Sequence, residues 1–169
     1  MTVDEAVVAI GAFLQPFMPS DTQIIRGMDN NVPTPWAKPF IVITEVGQPQ
    51  YTTTRTTVSQ TAQSMTFDMP TYLNFQLDFY GDEAGYMVKT AVTMLRSVYA
   101  PDKFPEGVKP LYCSDATQAP MITGEKQFQT RWLCTLSLQY NSSVVVSQQT
   151  FVNVGDIAID PVDITIPAE

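Results

Sequence analysis

The chain has 169 residues with 17 acidic and 9 basic side chains, so its net charge is −8, and it contains no histidine. This length fits one domain with a full core, and the lack of histidine excludes Ser-His-Asp and Cys-His nucleophiles and the typical zinc site. The net negative charge argues against binding to nucleic-acid phosphates. No run of about 18 apolar residues predicts a membrane span, and the acidic start MTVDEAVVAI does not have the pattern of a secretory leader.

The first predicted element is a helix over about residues 3–15. Thr2 and Glu5 have the spacing of a capping box, in which each side chain bonds the backbone of the other residue. Apolar side chains recur every three or four residues, which is the period of one helix face. These residues are Val3, Val7, Ile10, Leu14 and Phe17. Pro16 ends the helix near Gln15, because proline has no backbone N–H for an interior hydrogen bond.

Residues 18–39 are predicted to form a loop, because four prolines and several Asp and Asn residues fall within them. A short strand over Gln23–Arg26 interrupts this loop. The β-branched segment Phe40–Val46 then predicts a buried strand. Gly47 and Pro49 end that strand.

The segment Tyr51–Val58 is unusual because five of its eight residues are threonine. Threonine favours strands, yet neither face of this strand would be apolar. Two interpretations stay open: a solvated edge strand or hairpin arm, and a strand whose polar face meets another subunit or lines a channel. Gln60–Ser64 is the predicted turn of the hairpin, and Met65–Met69 is its return strand. The candidate subunit-interface or lumen residues here are Tyr51, Thr53, Arg55 and Thr57.

The segment Tyr72–Tyr80 alternates apolar and polar side chains, which predicts a strand with one face in the core. The residues predicted to face the core are Leu73, Phe75, Leu77 and Phe79. Asp82–Tyr99 then carries a helical apolar stripe. We expect Asp82 to cap this second helix and Ala100-Pro101 to end it.

A second alternating strand is predicted over Arg131–Tyr140, after a short strand over Leu111–Cys113. The residues predicted to face the core are Trp132, Cys134, Leu136, Leu138 and Tyr140. Arg131 is a lone cation on the polar face, and it is either a solvated side chain or an anchor in a subunit interface. Asn141–Ser143 predicts a turn, and Val144–Phe151 predicts one more strand.

The last segment, from Gly155 to Glu169, alternates isoleucine with aspartate and contains no lysine or arginine. We expect an extended acidic arm over residues 155–169, beside a single domain over residues 1–154. Ile157 and Ile159 are candidate interface residues in this arm. Its aspartates lack the spacing of a calcium loop, so a solvated acidic arm is favoured over a cation site.

The order of elements predicts an α+β fold: a mainly antiparallel mixed sheet flanked by two helices, with a long β-hairpin arm and an extended tail. No glycine-rich phosphate loop and no cluster of ligands or catalytic side chains stands out, so we predict no cofactor, no metal and no catalytic residue. Cys134 is expected to be a buried, inert thiol, whereas the sequence leaves the role of Cys113 open. The two thiols suggest a reducing place of synthesis, with a disulfide permitted but not required.

The order of these segments resembles phage neck and tail-terminator proteins, in particular the neck-terminator family of tailed phages. The resemblance covers roughly residues 1–150. It rests on a helix, a proline-rich loop and the strand PFIVITEV, then on QLDFYG (Gln76–Gly81) running directly into an amphipathic helix, and on RWLCTLSLQYN (Arg131–Asn141).

The resemblance implies a mixed α+β subunit that assembles into a ring, typically a hexamer, at the end of the tail tube. Such a ring is expected to stop tube polymerisation, to contact the tail tube protein and a head-completion or connector protein, and to let DNA pass without sequence-specific binding. It implies a virion protein made in the host cytoplasm, with no enzyme activity, no cofactor and no membrane association. The charged fraction of 15%, against about 25% in an average domain, agrees with a surface covered by neighbouring subunits.

Two other classes of function stay open from the sequence: a tail tube or baseplate component, and a stand-alone non-enzymatic binding module. A sheet with an exposed edge and polar strands would serve each of them. Assembly separates these classes, because a tube subunit polymerises alone whereas a terminator stops at one ring.

Overall fold

The N-terminal helix, α1 (Val3–Leu14), begins at the predicted capping box. The Thr2 N–H donates to Glu5 Oε2 at 2.8 Å, and the Glu5 N–H donates to Thr2 Oγ1 at 3.3 Å. One 3-10 turn over Gln15–Phe17 follows, where Pro16 prevents further α-helical hydrogen bonding. The computed structural model describes residues 2–28, 35, 38–59, 61–122 and 128–147 of the chain.

The described residues form one sheet of seven strands and one separate strand pair. The strands of the sheet are β1 (Gln23–Arg26), β2 (Phe40–Gly47), β3 (Arg55–Ser59), β4 (Ser64–Tyr80), β5 (Val108–Cys113), β6 (Thr117–Gln118) and β9 (Arg131–Ser147), and the separate pair is β7 (Met121–Ile122) with β8 (Phe128–Gln129). The order is β1-β2-β4-β9-β5, with β3 also beside β4 and β6 also beside β9. Among the described strands, β1 and β2 are the only pair that runs in parallel. The predicted α+β class with a mainly antiparallel mixed sheet is therefore confirmed.

Helix α1 and two further helices, α2 (Ala84–Leu95) and α3 (Tyr99–Lys103), pack on one face of this sheet. The four residues of β4 that were predicted to face the core are at most 1% exposed. Across β9 they meet Cys134, Leu136 and Leu138. The aromatic ring of Phe13 in α1 lies 5.1 Å from that of Phe104, which ties α1 to the end of α3.

The second helix differs from its prediction at both ends. Glu83, not Asp82, is the N-cap, and its side chain makes no capping hydrogen bond. Gly81 has a φ of 111°, and its carbonyl accepts the Ala84 N–H at 3.1 Å, so backbone turn geometry starts the helix instead of a carboxylate. The helix ends at Leu95 and not at Tyr99. Pro101, predicted to stop the helix, lies in the first turn of α3, where the missing N–H is tolerated.

Strand β4 joins two segments that were predicted as separate strands. It runs unbroken through Pro70, from the return strand Met65–Met69 into Tyr72–Tyr80. The Pro70 carbonyl accepts the Tyr51 N–H at 3.4 Å, so the missing N–H of Pro70 points to the same side. On that side β4 is no longer paired with β3, because the last pair between these strands is Arg55–Asp68. Pro70 therefore removes no hydrogen bond between the strands.

The predicted turn at Asn141–Ser143 is also wrong, because β9 continues through it to Ser147. Every residue of β9 pairs with β4, from Arg131 opposite Tyr80 to Ser147 opposite Ser64. A long partner strand supplies hydrogen bonds over the whole length, and these outweigh the turn preference of Asn and Ser. The predicted strand over Val144–Phe151 is therefore the end of β9 as far as Ser147, and its residues 148–151 lie outside the described part.

Candidate subunit interface: a three-stranded arm

A three-stranded ribbon extends the sheet beyond the helices. It consists of β3, residues 64–70 of β4 and residues 141–147 of β9, and we call it the arm. Register pairs join the three strands laterally: Val58 lies opposite Met65, which lies opposite Val146. At about 3.4 Å per residue the arm is about 20 Å long.

One face of the arm is apolar, and we call it the apolar face. It continues the core face of the sheet, because the odd-numbered residues of β4 point to that side throughout. Its apolar residues are Val58, Met65, Phe67, Met69, Val144 and Val146, and the polar residues Thr56 and Ser142 lie on the same face. In the body the helices cover the same face, but Val144 is 59% exposed and Val58 is 52% exposed. Exposed apolar patches of this kind mark interaction surfaces.

The opposite face of the arm is mostly polar and nearly neutral. The Arg55 Nη2 lies 3.2 Å from Asp68 Oδ2, so the one cation of β3 is paired within the arm. Ser143 lies beside Asp68 on β9. Thr57 and Thr66 form the next row together with the exposed Val145.

Both long edges of the arm are open among the described residues. The outer strand β5 leaves β9 at the pair Val108–Tyr140, just before the arm begins. On the other side β3 pairs only with β4 in the part of the chain that the structure describes. Open edges offer unpaired N–H and C=O groups to another chain.

The root of the arm is fixed by two contacts. The rings of Tyr51 and Tyr72 stack with centroids 4.4 Å apart. The buried Thr71 hydroxyl donates to the Tyr140 carbonyl at 2.8 Å. Tyr51 to Thr54, predicted as strand, are not in the ladder, because these residues turn the chain from the body into β3.

The structure places the predicted interface residues in different surroundings. Arg55 and Thr57 lie on the polar face of the arm, Tyr51 lies at its root, and Thr53 is exposed just before β3. Arg131 is not near them: about 40 Å of strand separates its partner Tyr80 from Asp68. Ile157 and Ile159, with the predicted C-terminal arm 155–169, lie outside the described residues.

Arg131 is engaged inside its own subunit, on the sheet face away from the helices. Its Nε and Nη2 lie 3.0 Å and 2.9 Å from Asp78 Oδ1. Asp78 is only 4% exposed, and Gln76 Nε2 donates to both of its carboxylate oxygens. Burial, then the Asp78 charge, raise the pKa of the neighbouring Tyr80. Arg131 therefore neutralises a buried carboxylate, a role that neither interpretation from the sequence foresaw.

The two cysteines lie together in the core as free thiols. Cys113 is on β5 and Cys134 on β9, and each is at most 1% exposed. A hydrogen bond to Cys113 and then burial raise the pKa of Cys134, so this thiol stays protonated at neutral pH. The prediction of a buried Cys134 is confirmed, and Cys113 is buried beside it.

A second uncovered surface is a groove of about 930 Å³ between α1 and α3. Its apolar lining includes Val8, Phe13 and Phe17, and its charged lining residues are Asp4, Glu5, Glu106 and Lys103. Arg26 Nη1 lies 2.6 Å from Asp4 Oδ1 and neutralises that carboxylate. The groove is therefore largely apolar with a small acidic excess.

The apolar face was missed from the sequence although a signal for it was present. Met65, Phe67 and Met69 alternate with polar residues, but they were assigned only as a return strand. In the run Val144-Val145-Val146 three equal side chains hide the alternation, so the face of each valine could not be assigned before the register with β4 was known.

Among the described residues, no cluster of three or more Cys, Asp or Glu side chains could hold a metal ion. None of the helices in this part of the chain is both long and apolar enough to cross a membrane.

Comparison with known proteins gives one family and a similar solved structure. The model of the family "Phage neck terminator protein" matches residues 4–168, and so it includes the tail beyond residue 150 that the sequence placed outside the resemblance. No curated protein sequence matches the chain. The sheath/tube terminator of an extracellular contractile injection system (PVC, extended state, by cryo-EM) is similar in fold, with a TM-score of 0.58 at 9% identity. That match covers 98% of this chain and 66% of the other, so the chain spans just under two thirds of that terminator.

Proposed function

The chain belongs to the phage neck terminator family, and from this premise we propose that its copies form a ring at the head–tail junction of a phage. Membership makes the protein a structural component of a phage tail with a role in ending it. The ring, which we expect to be hexameric, stops the tail tube, joins it to the neck through a head-completion or connector protein, and lets DNA pass.

The observation that carries the proposal is the arm. A domain that acts alone gains nothing from a 20 Å ribbon whose apolar face and two long edges no described residue covers. Covering a half-exposed valine contributes about 1 kcal/mol, and the apolar face offers several such side chains in every subunit. Contacts of this size, repeated around a closed ring, support an assembly held together through the arms.

Charge supports a passage for DNA that does not retain it. The chain carries a net charge of −8, and the one cation of β3 is paired with Asp68. A lumen lined by threonine and neutralised pairs would not hold phosphate groups. We place the polar face of the arm, with Thr57 and Arg55, toward the lumen or toward a neighbouring subunit.

The proposed role requires no chemical step. We propose that the protein is not an enzyme and uses no cofactor, because its family is structural and the sequence supplies no histidine for general base catalysis. Its proposed partners are further copies of itself, the tail tube protein and a neck protein.

A phage that lacks this protein tests the proposal. We expect tails of abnormal length that are not joined to heads, as measured by electron microscopy of lysates. Wild-type protein supplied from a plasmid should restore both properties. Tails of normal length, joined to heads in normal numbers, would contradict the terminator function and favour a stand-alone binding module. Tubes formed by the purified chain alone would favour a tube component.

A further inference from the structure

The chain that follows the arm has the pattern needed to cover the apolar face. In extended conformation Ile157 and Ile159 share one side, with Asp156 and Asp160 on the other. After Pro161 the pattern shifts by one residue. Val162, Ile164 and Ile166 then share a side, opposite Asp163 and Thr165. Both halves therefore combine one apolar side with one polar side, as the arm does.

Charge favours the apolar face over the groove between α1 and α3. Residues 155–169 contain four acidic side chains and no basic one. The lining of the groove between α1 and α3 contains Asp4, Glu5 and Glu106 with Lys103. Asp4 is also paired with Arg26, so a small acidic excess remains there and disfavours an acidic segment. The apolar face contains no charged residue, and the one ion pair of the arm, Arg55 with Asp68, lies on its opposite face.

The direction of β9 favours a neighbouring copy over the same copy. Ser147, the last described residue of β9, lies opposite Ser64 at the tip of the arm, so β9 at this point runs away from the body of its own subunit. Folding back on the same arm would need a tight reversal. The next residues, Gln148-Gln149-Thr150, include none of the Gly, Pro, Asn or Asp residues that favour such turns, and the first of these, Asn153 and Gly155, come too late for a reversal directly at the tip. Residues 148–169 could span about 70 Å at about 3.3 Å per residue.

We propose that residues 156–166 of one copy cover the apolar face of the arm of a second copy. The seat is formed by Val58, Phe67, Val144 and Val146, and the aspartates of the segment point to solvent. This inference rests on the proposed ring, and it names the contact that links one subunit of the ring to the next.

Photo-cross-linking in assembled tails tests this contact. A benzophenone amino acid replaces Val144 on the apolar face or, as the matched control, Val145 on the opposite face; the two residues are similarly exposed. We expect the Val144 probe to give a product with the mass of two 18.8 kDa chains, in which mass spectrometry joins the arm to a peptide within 151–169. This product should be lost with the Val145 probe.

Three results would overturn the inference: a Val144 product with the mass of one chain, a Val144 product joined to another region or protein, or equal linkage from Val145. The failure of the proposed function is separate. Normal tails in phage that lack the protein would contradict the proposed terminator function, whatever the cross-links show. If tails terminate normally but the probe at position 144 gives no cross-link to residues 151–169, only the proposed contact would be contradicted.

Discussion

The same two strands meet different surroundings in the body and in the arm. In the body, the odd-numbered residues from Leu73 to Phe79 of β4 and the even-numbered residues from Cys134 to Leu138 of β9 point toward the helices. These residues are at most 1% exposed. In the arm the same face continues through Phe67 and Val144 with no described helix above it. The difference shows that the alternation of a strand predicts which side is apolar, but not what covers that side.

Substitution in the body is expected to have the largest effect on stability. Leu77→Asp places a charge in the closed core without a partner, and we expect it to lower the free energy of unfolding by more than about 4 kcal/mol. Urea denaturation followed by circular dichroism measures this. Val145→Asp in the arm is the control, and it should leave the free energy of unfolding within about 0.5 kcal/mol of wild type. Cooperative folding of Leu77→Asp at wild-type stability would contradict the assigned faces.

Removing one carboxylate from each region separates a buried ion pair from an exposed one. Asp78→Ala leaves the half-buried Arg131 unpaired, and we expect a loss of about 2–4 kcal/mol. Asp68→Ala leaves Arg55, whose side chain is 76% exposed, and should cost less than about 1 kcal/mol. Denaturation midpoints of the two variants give the comparison. Equal losses would show that Asp78 is not held as a buried pair.

Alkaline pH should weaken the body through Tyr80. Burial, and then the Asp78 charge, raise its pKa in the folded chain, so the protonated phenol stabilises the fold below its unfolded pKa of about 10. That contribution is lost as the pH rises through the folded pKa. We expect the free energy of unfolding to fall less steeply above pH of about 10 in Tyr80→Phe than in wild type. Identical slopes would contradict the raised pKa.

The arm tip should matter least for stability and most for assembly. Replacing residues 56–62 with a short Gly-Ser turn removes no residue of the core and leaves the body unchanged. We expect nearly wild-type stability by denaturation, together with fewer completed tails in electron micrographs. A wild-type number of completed tails would show that β3 is dispensable for the ring.

The sequence predicted the body well because local patterns coincide there with the tertiary contacts. The capping box of α1 and the alternation from Leu73 to Phe79 needed no knowledge of the fold. The arm was predicted only in outline. Asn141–Ser143 has the local chemistry of a turn, and only the long partner β4 keeps it extended. Helix α2 starts at a backbone turn at Gly81, which left Asp82 without the predicted capping role.

The candidate site was predicted only in part, because its apolar face depends on the pairing of strands that are far apart in the sequence. The threonine-rich strand drew attention to the arm, but the residues that make its apolar face lie on the two partner strands. Whether Val144 or Val145 faces outward depends on the register with Phe67 and Thr66, and no local pattern fixes that register. Arg131 was singled out as a lone cation, because its partner Asp78 lies on another strand, far along the chain.

Tail assembly by matched valine variants tests the central claim most directly, namely that the apolar face of the arm joins subunits into a terminating ring. Phage carrying Val144→Glu with Val146→Glu is compared with phage carrying Val145→Glu, after denaturation has shown that both proteins fold as wild type does. We predict abnormal tail lengths and unattached heads for the double variant, because charges would be buried in the contact, and normal particles for Val145→Glu. Normal particles from both variants would contradict the account.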